Sequence, residues 1–88
     1  MNRIRRKELA RIVAKLEQLE ALRSEIQEEL EAVMDEEQEA LDNMPESLQD
    51  SERGQQMQAG VDSMEYAMDD LENFDVESIM DQLNEVIG

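Results

Sequence analysis

Apolar residues recur along the first half of the chain with a helical period. Leu9, Ile12, Leu16 and Leu19 are followed by Ile26, Leu30 and Val33, at spacings of 3, 4, 3 and then 7, 4, 3. That is a heptad pattern, interrupted only at Arg23, with Leu22 one step away. The same phase continues through Glu37, Ala40 and Met44, and no Gly or Pro falls between residues 2 and 42. The pattern predicts one long helix over residues 2–42.

Asp42-Asn43-Met44-Pro45-Glu46-Ser47 ends it, because proline disfavours helical geometry in the residue before it. A loop is expected over 43–51, with one short helical turn at Pro45–Gln49 and Ser51 as the cap of the next helix. Gly54 and Gly60 each weaken that helix by about 1 kcal/mol relative to Ala. Its apolar positions, Met57, Val61, Met64, Met68 and Leu71, recur at 4, 3, 4, 3. The phase then slips, and the set becomes Val76, Ile79, Leu83 and Val86. A stutter in one continuous helix over 52–87 is the preferred reading. The alternative is a break at 73–75 and a separate third helix capped by Asp75.

The two patterns match when the chain folds back on itself. Val33 with Val61, Leu30 with Met64 and Ile26 with Met68 have residue numbers that each sum to 94. Leu19 with Val76, Leu16 with Ile79, Ile12 with Leu83 and Leu9 with Val86 each sum to 95. Two disordered tracts would not share a register, so disorder is set aside despite the high charge and few aromatics. The fold class expected is all-α: an antiparallel two-helix coiled-coil hairpin spanning residues 1–88 as one domain. One seam per helix is a thin core. Val13, Leu22, Met80 and Ile87 lie off the seam, and they suggest a homodimer in which two hairpins pair into a four-helix bundle.

Charge changes the picture more than any motif. The 88 residues hold 24 acidic and 8 basic side chains, a formal net charge of −16, with no His, Cys or Trp. Thiol and imidazole chemistry, the usual zinc sites and the common haem ligands are therefore excluded. Nucleic acid and anionic lipid would be repelled by most of the surface. The charge is also unevenly placed. Residues 1–23 carry seven basic and three acidic groups, whereas residues 24–88 carry one basic and 21 acidic. In the hairpin, Lys7, Arg11 and Lys15 are expected to reach Asp75, Glu77, Asp81 and Glu85. Each such pair contributes about 0–1 kcal/mol, and together they favour the antiparallel register.

No such compensation is available between Ser24 and Glu52, where basic residues are absent. One reading of that block is a solvated face that keeps a small bundle soluble. Its sharper use is as a docking surface for a basic protein, with Glu28, Glu31, Asp35, Glu36, Glu39 and Asp42 as the candidate partner-binding residues. Carboxylates spaced along a helix can imitate phosphates to a basic groove.

Other constellations carry less. The acidic runs Asp35–Glu39 and Asp69–Glu72 lack the His of helical di-iron sites and the central Gly of an EF-hand loop. No metal and no cofactor is expected. Paired carboxylates need a concave pocket to catalyse, and a two-helix hairpin offers none, so no enzyme activity is expected. Met57, Met64, Met68 and Met80 read as core filler more than as an adaptable groove. Glu37 falls on the seam opposite Met57, where the hairpin frays or opens, and Arg23 is expected to snorkel to Glu20 or to carboxylates near Asp70. The basic start from Met1 to Lys7 lacks the apolar run of a secretory signal. A cytoplasmic protein that binds neither membrane nor nucleic acid is the expectation.

The loop Asp42-Asn43-Met44-Pro45-Glu46-Ser47-Leu48-Gln49, followed by Ser51-Glu52-Arg53-Gly54, resembles a segment that recurs in small acidic proteins of bacteriophages and prophages. The preceding Glu36-Glu37-Gln38-Glu39-Ala40 is similar as well, and the resemblance covers residues 30–70. It implies a phage-type protein in a bacterial host cell, of a kind that often binds and blocks a host factor. It implies no functional residue. A coiled-coil scaffolding module and an antitoxin-like partner of a basic toxin are the alternatives.

Overall fold

The computed structural model describes residues 2–88; Met1, part of the basic start, lies outside them. The fold is all-α, with α1 (Arg3–Asp42), α2 (Glu46–Gln49), α3 (Glu52–Asn73) and α4 (Val76–Ile87), and no strand among the described residues. The chain divides into two compact units. Unit 1 combines Met1–Glu25 with Phe74–Gly88, and unit 2 is Ile26–Asn73. Each unit sets a stretch of α1 with a later helix, in the manner of a helical hairpin.

In unit 1, α1 begins at a cap: the Asn2 side chain accepts the Arg5 backbone N–H at 2.9 Å. Its opposite wall is α4, a separate helix. The chain leaves helical geometry at Phe74 and Asp75, and the Asp75 carboxylate accepts the Ser78 N–H at 3.0 Å. The preferred expectation of a continuous helix is therefore corrected. A side-chain cap satisfies an N–H that an unbroken helix would have bonded internally, so the break costs little. Val13 and Val76 are buried, with Leu9, Leu16, Met80, Leu83 and Ile87 half-buried around them.

In unit 2, Pro45 starts α2 by accepting the Leu48 and Gln49 N–H groups at 2.8 and 3.1 Å. Gln49 Nε2 donates back to the Met44 carbonyl at 2.9 Å, which ties the turn to the end of α1. Ser51 then opens α3: its hydroxyl accepts the Gly54 N–H at 3.3 Å and donates to the Leu48 carbonyl. Gly54 is buried because α2 leaves no room there. A Cβ at this position would lie 2.2 Å from the Gln49 carbonyl oxygen. Leu41 and Val61 complete the buried set.

The seam differs from the expected one at every second position. Ile12, Leu19, Ile26 and Val33 are 46, 38, 41 and 53% exposed. The covered residues of α1 are Leu9, Val13, Leu16, Glu20, Arg23, Gln27, Leu30, Met34, Glu37, Gln38 and Leu41, and Met44 just beyond its end is covered as well. Apart from Gln38, this too is a heptad repeat, turned by one residue at alternate steps. It places Met34 and Leu41 inside unit 2, where the expected phase offered Val33 and Ala40. The covered positions pair antiparallel with other sums than the expected ones. In unit 1 the covered positions Leu9 and Ile87, Val13 and Leu83, and Leu16 and Met80 each sum to 96. In unit 2, Leu41 and Met57, Met34 and Met64, and Leu30 and Met68 each sum to 98.

Candidate functional site

The division into units separates the charge sharply. Unit 1 carries seven basic and eight acidic side chains, a formal −1. Unit 2 carries Arg53 and sixteen carboxylates, a formal −15. Helix stability does not account for this layout. The first turn of α1 holds no acidic residue and the last turn no basic one. Arg3, Arg5 and Arg6 sit at the positive end of the helix dipole, and Glu39 and Asp42 at the negative end, so each terminus carries the disfavoured sign.

All six candidate residues, Glu28, Glu31, Asp35, Glu36, Glu39 and Asp42, lie on the unit 2 stretch of α1, and all are exposed. None occupies a covered heptad position. The helix thus presents them outward while Leu30, Met34 and Leu41 face inward. Only Asp42 is engaged, accepting a hydrogen bond from Gln38 Nε2 at 2.9 Å. The other five retain their full capacity to accept donors from a partner.

Glu37 stands apart from the six. It is half-buried on the seam and lines an open groove with Arg53, Gln56, Met57, Gly60 and Met64. A second groove, formed by Gln38, Leu41, Asp42, Gln49, Asp50, Gly54, Gln55 and Gln58, lies where α2 meets α3. No group of three or more acidic side chains among the described residues is arranged to hold a metal ion. No helix among them is long and apolar enough to cross a membrane.

Two expected contacts come out differently. Arg23 does turn to Glu20: its Nη2 and Nε donate to Oε1 and Oε2 at 2.6 and 2.9 Å, a bidentate pair. The ladder from Lys7, Arg11 and Lys15 to the acidic residues of α4 does not form, and no ion pair within 4 Å joins them. All seven of those groups are exposed. Long side chains in water gain too little from such pairs to be held in one geometry.

One residue of the surface escaped the charge-based reading. Tyr66, 72% exposed, points outward from α3 with Asp62, Asp69 and Asp70 as its helical neighbours. An aromatic ring in a field of carboxylates is the type of side chain that anchors interfaces. Its signal in the sequence was the lone aromatic of α3 at a position outside the apolar repeat.

No family model, no curated protein and no solved structure matches this chain.

Proposed function

We propose that the protein is a non-catalytic binding protein that docks the carboxylate surface of unit 2 on a basic site of a host or cognate protein. The observation that carries this reading is the charge partition, sixteen carboxylates against one arginine in unit 2. Density supports it further. Between Glu28 and Asp42, α1 holds eight carboxylates. At the helical rise they span about 21 Å, roughly one charge per 3 Å. A nucleic-acid single strand carries about one per 3.4 Å. A groove evolved to hold phosphates would respond to such a field. Inhibition of a nucleic-acid-binding host factor, in the manner of a phage modulator, is the specific form of this proposal.

The field also sets the kinetics. A single-signed surface speeds encounter with an oppositely charged one, and salt screens it over about 8–10 Å. The test is a pull-down from bacterial lysate at low and high salt, with the wild-type chain beside the Asp35→Lys, Glu36→Lys, Glu39→Lys triple variant. Capture at low salt that both high salt and charge reversal abolish supports the proposal. A partner retained by the triple variant contradicts it.

A structural assembly module is the second reading, and the exposed apolar row on α1 favours it. On that reading Leu30→Asp or Met64→Asp would abolish function, while reversal of the acidic surface would leave it intact.

A further inference from the structure

The covered residues of α1 in unit 1 leave a second apolar row uncovered. Ile12 and Leu19 fall one heptad apart, at the position flanking the seam, and are 46 and 38% exposed. Ile79 and Val86 of α4 hold the equivalent position, at 40 and 48%. In an antiparallel helix pair, equivalent flanking positions share one side of the two-helix layer. The opposite flank carries Glu17, Ser24, Glu77 and Asn84. From Ile12 onward unit 1 is thus apolar on one flank and polar on the other; nearer the start of α1, Arg5 falls on the first flank and Ala10 on the second. Leu22, 52% exposed, extends the apolar side next to Leu19.

From these residues we infer that a second copy of this chain seats on the Ile12–Leu19–Ile79–Val86 flank of unit 1, giving a homodimer with a four-helix core. The inference does not rest on what unit 2 binds. Two observations choose the occupant. The first is charge: two unit 1 surfaces at a formal −1 meet without penalty, whereas two unit 2 surfaces at −15 repel.

The second is complementarity. Arg3, Arg5, Arg6, Lys7, Arg11 and Lys15 are exposed and without ion pairs, as are Asp75, Glu77, Asp81 and Glu85, so each copy of unit 1 offers both signs to the other. Closure of this flank would convert a single-seam pair of helices into a bundle with an enclosed core.

Sedimentation equilibrium on the full chain tests this directly, with the double variant Leu19→Lys, Ile79→Lys and the control Val33→Lys in unit 2. The expected result is twice the 10.2 kDa chain mass for wild type and V33K. The single-chain mass is expected for L19K/I79K, with helical circular dichroism retained. Should that double variant lose helicity, Leu22→Lys at the outer edge of the same flank repeats the test. A wild-type mass of 10.2 kDa at every concentration overturns the inference, as does a dimer that survives the lysines at Leu19 and Ile79, or at Leu22 where that variant is read. A dimer dissociated by V33K overturns its assignment to unit 1.

Discussion

Arg23 grips Glu20 with two hydrogen bonds, at 2.6 and 2.9 Å, at positions of α1 where the heptad repeat otherwise sets apolar side chains. With Gln27 the pair forms a polar stretch of the seam, and the chain divides into its two units within that stretch, after Glu25. The Arg23 hydrogen bonds hold the Glu20 carboxyl below its usual 4.5; partial desolvation opposes this, and the Arg23 charge reinforces it.

The sign of the pH effect follows. A carboxylate whose pKa is lower folded than unfolded adds stability above its unfolded value, and this is lost as pH falls through the lowered folded value. The difference in melting temperature between wild type and Glu20→Gln should be full at neutral pH and shrink below about pH 4.5. Replacing both residues by Leu should raise the melting temperature, because a continuous apolar seam outperforms a largely covered ion pair. Thermal melts by circular dichroism across pH check both outcomes.

The two glycines of α3 should respond to the same substitution with opposite sign. Gly54→Ala drives a Cβ into the Gln49 and Leu48 carbonyls, which are backbone and cannot yield without displacing α2. A loss of about 1–3 kcal/mol is expected. A Cβ on Gly60 meets nothing within 4 Å. Gly60→Ala should therefore stabilise by about 0.5–1 kcal/mol through helix propensity. Urea denaturation of both variants measures the contrast.

Asp75 caps α4, and its removal should act on that helix alone. Asp75→Ala leaves the Ser78 N–H without its acceptor at a cost of about 1 kcal/mol. Hydrogen exchange should rise across Val76–Ile87 and remain unchanged across α3.

Much of the fold was legible in periodicity. The heptads of α1 and α3, the stop at Pro45 and the cap at Ser51 all follow from local chemistry that the chain states openly. The choice between two heptad phases was not legible, because Ile12, Leu19, Ile26 and Val33 form as good an apolar row as the one that packs. Hydrophobicity along one helix cannot decide which of two adjacent rows meets a neighbour. That depends on volumes across the pair, such as Leu41 filling space that Ala40 would leave open. The break at Phe74–Asp75 was visible as a phase slip, but a stutter and a cap produce the same slip. The acidic surface was readable in full because exposure of carboxylates needs no partner. Tyr66 was not, since a lone aromatic carries no period.

Tyr66 should matter for recognition and little for stability. Tyr66→Ala removes an outward ring from α3, so the melting temperature should stay within the small range of surface substitutions, about ±0.5 kcal/mol. Affinity for a captured partner should fall by at least tenfold if the ring is an anchor, as read by calorimetric titration.

The most direct test of the charge account is the dissociation constant of the partner recovered at low salt, measured against salt for wild type and for D35K/E36K/E39K. The account predicts steep weakening of the wild type as salt rises, and at least a tenfold loss for the triple variant at low salt, with its helix content unchanged. Equal affinities for the two chains, or a wild-type affinity independent of salt, would contradict it.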